Sequence, residues 1–132
     1  MPPLTRITTG ALSRLAEQLR FAPREALVRD VERIEALALE IDGGGVYSEE
    51  WVVFRVTGFR ADIEGAEAIG GEAVLRDLSA LAERLSMSAR LSAAGDGGCE
   101  IVTLAALSAR WGVSPKTVER LRRRGLIARR VL

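Results

Sequence analysis

Apolar positions recur every three or four residues over the first forty positions. In "TTGALSRLAEQLRF", Leu12, Leu15, Ala16 and Leu19 follow Thr8 and Thr9, either of which suits a helix N-cap. Pro23 resets the chain and fits the first turn of a second helix. That helix, "PREALVRDVERIEALALEID", carries the clearest stripe: Leu27, Val28, Val31, Ile34, Ala38 and Ile41, with Arg24, Glu32, Arg33 and Glu40 off it. Gly43, Gly44 and Gly45 are expected to end it, because glycine takes a left-handed C-cap cheaply.

The block "YSEEWVVFRVTGFR" is rich in strand-favouring residues. Ser48 before Glu49 and Glu50, with Gly58 ten residues later, nevertheless frames a short buried helix. In that helix Trp51 and Phe54 stand one turn apart and are expected in the core. "RADIEGAEAIGG" is expected to be a loop or linker, and a further long helix to span about 72–91. Its stripe is Val74, Leu75, Leu78, Leu81, Leu85 and Met87. "SAAGDGGCE" breaks the chain. The pattern predicts an all-α fold, with a helical domain over 1–95 and a second segment over 100–132.

The second segment reads "IVTLAALSARWGVSPKTVERLRRRGLIARRVL". Thr103 can cap a helix from Leu104 to Trp111. Gly112 suits a turn with positive φ. Ser114 caps a helix over about 115–124, with Pro115 as its first residue. Leu107, Trp111, Val113, Val118 and Leu121 are expected inside, and Ser108 is small where the two helices cross. This apolar, small and glycine pattern matches a helix-turn-helix at six constrained positions.

Charge sharpens the picture. The net charge is +1, yet residues 1–109 hold eleven arginines and seventeen acids, whereas 110–132 hold eight cations and one acid, Glu119. Such a split suggests a polyanion at one end. Lys116, Thr117 and Arg120, near the start of the second helix, are the candidate base-edge residues, beside the cap Ser114. Arg123, Arg124, Arg129 and Arg130 are candidate phosphate clamps. Helical spacing spreads Arg122, Arg123 and Arg124 around the axis, so Arg122 is expected to lean back toward the protein. Glu119 is expected to pair with Arg123. Leu126–Ile127 and Val131–Leu132 read as the start of a β-strand.

The chain has no histidine and a single cysteine, Cys99. It therefore lacks the usual neutral-pH general base and a good zinc-ligand set. No catalytic residue, cofactor or metal is expected. An enzyme would need a pocket lined by Glu49, Glu50 and Arg55. No apolar run reaches membrane-spanning length, and the N-terminus lacks a signal-peptide core, so a cytoplasmic protein without a membrane partner is expected.

The helix-turn-helix followed by "RRRGLI" resembles the winged type of MerR and excisionase regulators, in which a hairpin wing touches phosphates. The order of "LRFAPREALVRDVERIEAL", "YSEEWVVFRVTGFR", "LRDLSALAERLS" and "VTLAALSARWGVSPKTVERLRRRGLIARRVL" resembles the N-terminal extension of a group of bacterial RNA polymerase sigma factors. Trp51 to Arg60 carry the more distinctive block. The resemblance implies a part in transcription initiation, contact with double-stranded DNA, and RNA polymerase core as a partner through a longer parent protein. No segment resembles the core-binding and promoter-melting helices, so sigma activity is not assigned to these residues. The alternative from sequence is a protein-interaction domain of a regulator, docking through its acidic helices without reading DNA.

Overall fold

The computed structural model describes residues 6–60, 67–91 and 102–129. Among them are six helices and one pair of short antiparallel strands. The periodic stripes of the sequence set the first two helices, α1 (Gly10–Leu19) and α2 (Arg24–Ala38). Leu27, Val31, Ile34 and Leu37 are buried on α2, while Val28 and Ala38 are half-covered at the edge of the core. Pro23 stands at the N-cap, where its missing N–H is no loss.

α2 ends earlier than the glycine run suggests, with Leu39 as its C-cap. The glycines serve a different junction. Gly45 donates to the Asp42 carbonyl (2.9 Å) and accepts from the Gly71 N–H (2.8 Å). A Cβ at Gly71 would overlap the Asp42 carbonyl oxygen, so only glycine lets the two backbones meet. This contact aligns β1 (Val46–Ser48) with β2 (Ala68–Gly70), pairing Val46 with Gly70 and Tyr47 with Ile69. The latter strand lies inside the stretch expected to be linker. Three residues between glycine-rich flanks are too few to show alternation; residues 61–66 lie outside the described ones.

α3 (Glu49–Thr57) starts and stops where its signals fall. Ser48 Oγ accepts from the Trp51 N–H (3.1 Å), and Gly58 closes the helix at φ 78°. Its buried face is Val52, Val53 and Val56. Trp51 and Phe54 instead lie at the surface, correcting their expected place in the core. The helix meets α2 through compact valines, which turns the large rings outward.

α4 (Gly71–Ala89) is the central helix. Val74, Leu78, Leu81 and Leu85 of its stripe are buried, and so are Ser79, Ala80, Ala82, Glu83 and Ser86 around the remaining circumference, whereas Leu75 is half-buried and Met87 exposed. The reason is that α1, α2 and the last helix all pack against it. Asp77, fully buried, reaches the start of α1. Its carboxylate accepts from the backbone N–H of Thr8 (3.0 Å) and of Thr9 (2.7 Å). Thr9 is thus the N-cap by position, but a distant carboxylate does the capping. At the other end, Arg24 Nε donates to the Ala89 carbonyl (3.1 Å).

Candidate nucleic-acid interface

α5 (Leu104–Trp111) and α6 (Pro115–Arg123) are short, and side-chain caps define both. Thr103 Oγ1 accepts from the Ala106 N–H (3.1 Å), and Ser114 Oγ accepts from the Thr117 N–H (3.2 Å). Gly112 takes φ 67° in the turn between them, a conformation glycine enters without strain. Pro115 opens α6 with the φ that proline favours.

α6 meets α4 along one stripe. Val118 and Arg122, one turn apart, are the buried residues of that stripe. Arg122 Nη2 lies 3.3 Å from Glu83 Oε2 on α4, and Arg122 Nη1 lies 3.0 Å from Glu119 Oε1. Arg122 therefore leans back onto the protein and also pairs with Glu119, while the expected Glu119–Arg123 pair lies outside the described residues. A three-residue offset is enough for the Glu119–Arg122 pair on a helix. The Arg123 side chain lies outside the described residues, as do residues 130–132, Arg130 among them.

The opposite face of α6 is open. Lys116 and Arg120 stand one turn apart and exposed, and Arg124 is exposed at the helix end. Thr117 is half-buried, and its hydroxyl shares a 3.0 Å hydrogen bond with Ser114 Oγ, so both polar side chains serve the cap. Arg129 is placed differently from a clamp held ready for phosphate. Its Nε lies 3.1 Å from Glu35 Oε2 and its Nη2 2.5 Å from Glu35 Oε1, a two-pronged pair with α2.

Two further expectations are corrected. Trp111 is 47 % exposed, Val113 37 % and Leu121 36 %, so of the five residues expected inside, Leu107 is half-buried and Val118 alone is fully buried. The register fails because α6 turns Arg122 as well as Val118 toward α4, which rotates Leu121 out of the contact. Past α6, residues 126–129 form no strand. Gly125, at φ 118°, lets the chain pass against Leu75, where a Cβ would come within 2.8 Å, and Ile127 packs on the core.

Sequence reasoning missed Glu83 and Glu35, the acids that receive Arg122 and Arg129. The small residues Ser79, Ala80, Ala82 and Ser86 were the available signal that α4 is packed on several sides. A second surface gathers around α3. Tyr47 and Trp51 stack with centroids 5.5 Å apart, Arg55 lies 5.2 Å from the Trp51 ring centre, and Arg55 pairs with Glu40. Glu49 is directed elsewhere, to the Glu67 N–H (3.4 Å), so Glu49 and Arg55 do not converge.

Among the described residues, no group of three potential metal-ligating side chains is present, and no helix is long and apolar enough to cross a membrane. No family model, curated protein or solved structure matches this chain.

Proposed function

We propose that this chain is the DNA-binding module of a transcription factor, with α5 and α6 acting as a helix-turn-helix and α6 entering the major groove. The observation that carries the proposal is the division of α6. Val118 and Arg122 face α4, while Lys116 and Arg120 project from the opposite side. A groove-entering helix needs one apolar stripe for its scaffold and a cationic stripe for DNA. Arg120 is the candidate for a bidentate contact to guanine, Lys116 and Thr117 lie beside it, and Arg124 is positioned for phosphate. The family resemblance extends the proposal to a sigma-factor-like initiation protein, with RNA polymerase core as the partner of the parent molecule.

Binding to selected and random duplexes, followed by fluorescence anisotropy across a salt series, tests this directly. The parent should lose affinity log-linearly with salt. Arg120→Ala should relax sequence preference by about 1–3 kcal/mol, whereas Arg124→Ala should weaken all duplexes alike and lower the salt slope by about one. If both variants bind every duplex as the parent does, α6 is not the reading helix.

The surface around α3 favours a second reading, a protein-docking domain. Trp51, Phe54 and Phe59 present aromatic side chains to solvent on the acidic part of the chain. Exposed aromatics of this kind are enriched at protein interfaces. Retention of partner binding by Lys116→Ala/Arg120→Ala, with loss by Trp51→Ala, would favour docking over DNA reading.

A further inference from the structure

We infer that Glu35 is an electrostatic latch that withholds Arg129 from DNA; the inference rests on the DNA-binding proposal above. Three contacts hold the chain after α6 against the helical body. Gly125 passes against Leu75, Ile127 packs on the core, and Arg129 forks onto Glu35 of α2. These contacts differ in how readily they exchange. The neighbouring Arg122–Glu83 pair is nearly sealed from solvent, at 11 % and 4 % side-chain exposure. The Arg129–Glu35 pair is open, at 21 % and 37 %. Water and mobile ions reach it, so an incoming anion can compete for the guanidinium.

A phosphodiester is the matching competitor. Arginine binds carboxylate and phosphate with the same two-pronged geometry, so one can replace the other without rebuilding the donor. Reach is not a barrier. Four residues past Gly125 span at most about 13 Å when extended, which keeps Arg129 beside the C-terminal end of α6. In the latched state the exposed cations of α6 meet DNA without Arg129. In the released state Arg129 adds one phosphate contact, and Glu35 is left hydrated on α2. Affinity is thereby set partly by a carboxylate on a helix distant from α6 in sequence.

Anisotropy with a random 30-base-pair duplex, over a salt series, tests the latch in the full chain. Glu35→Gln should tighten binding roughly threefold and steepen the salt slope by about one. Loss of Arg129 should erase that gain, so Glu35→Gln/Arg129→Gln should match Arg129→Gln alone in affinity and slope. Glu32→Gln removes the same charge from an exposed position on α2 and controls for long-range repulsion. Equal gains from Glu35→Gln and Glu32→Gln overturn the latch while leaving DNA binding in place. So does a gain from Glu35→Gln that survives loss of Arg129. Failure of the parent and every variant to bind duplex at low salt overturns both proposals together.

Discussion

Arg122 Nη2 lies 3.3 Å from Glu83 Oε2 where α6 meets α4, and both side chains are nearly closed to solvent. A buried pair of this kind adds little net stability compared with an apolar contact, but removing one partner strands the other charge. Arg122→Met should therefore lower unfolding free energy by about 3 kcal/mol, and Glu83→Gln/Arg122→Met should lose less than the two single changes summed. Urea denaturation of the four proteins gives the cycle. Strictly additive losses would show that the pair is not coupled.

Val118 and Leu121 separate the register seen here from the one expected from sequence. Val118→Ala removes fully buried methyls and should destabilise by about 2 kcal/mol. Leu121, more than a third exposed, should give about 1 kcal/mol or less on change to alanine. Thermal melts with the opposite ranking would restore Leu121 to the interior.

Legibility along the chain followed the range of the interactions involved. Ser48, Gly58, Thr103, Gly112 and Ser114 act on backbone within three or four residues, and each stands where its chemistry pointed. The stripe of α2 was likewise visible because periodicity is a local property. What escaped depended on partners far away in sequence. Trp51 and Phe54 look like core residues until α2 is seen to meet the valines. The pairing of Arg129 with Glu35 joins residues 94 positions apart, so neither neighbourhood announces it. The end of α2 moved because Asp42 must meet Gly71, and no neighbouring residue announces that contact.

Gly71 and Gly70 are adjacent, yet only one is sterically confined. Gly71→Ala drives a methyl into the Asp42 carbonyl and should cost at least about 2 kcal/mol. Gly70→Ala, with nothing within 4 Å of the new methyl, should stay within about 1 kcal/mol. Parallel chemical denaturation of both variants checks the contrast. A mild Gly71→Ala would mean that the two backbones can separate freely.

Burial raises the Asp30 carboxyl above its usual 3.8, against the opposing pull of Arg29 and Arg33. The folded state thus holds the proton more tightly than the unfolded state. Ionised Asp30 weakens the fold at neutral pH, and stability is regained as pH falls from the raised value toward 3.8. Asp30→Asn should lack this increment, so the parent should gain on the variant across that acid interval. Denaturation at closely spaced pH values measures it. Parallel curves would mean that Asp30 titrates alike in both states.

The carboxylate of Asp77 also bears on the order in which the chain acquires structure. The amides of Thr8 and Thr9, at the entry to α1, find their acceptor across 69 and 68 residues, not within their own turn. A ten-residue helix is marginal alone in water, and this one has no side-chain cap of its own. Its ordering is therefore conditional on α4, and the two should open as one cooperative unit. Native-state hydrogen exchange should give the amides of Thr8 and Thr9 the same opening free energy as the middle of α4. Changing Asp77 to asparagine should drop the N-terminal amides to fast exchange while α4 retains most of its protection. Residues near the start of the chain would then be among the last to settle, because their partner is formed from residues made much later.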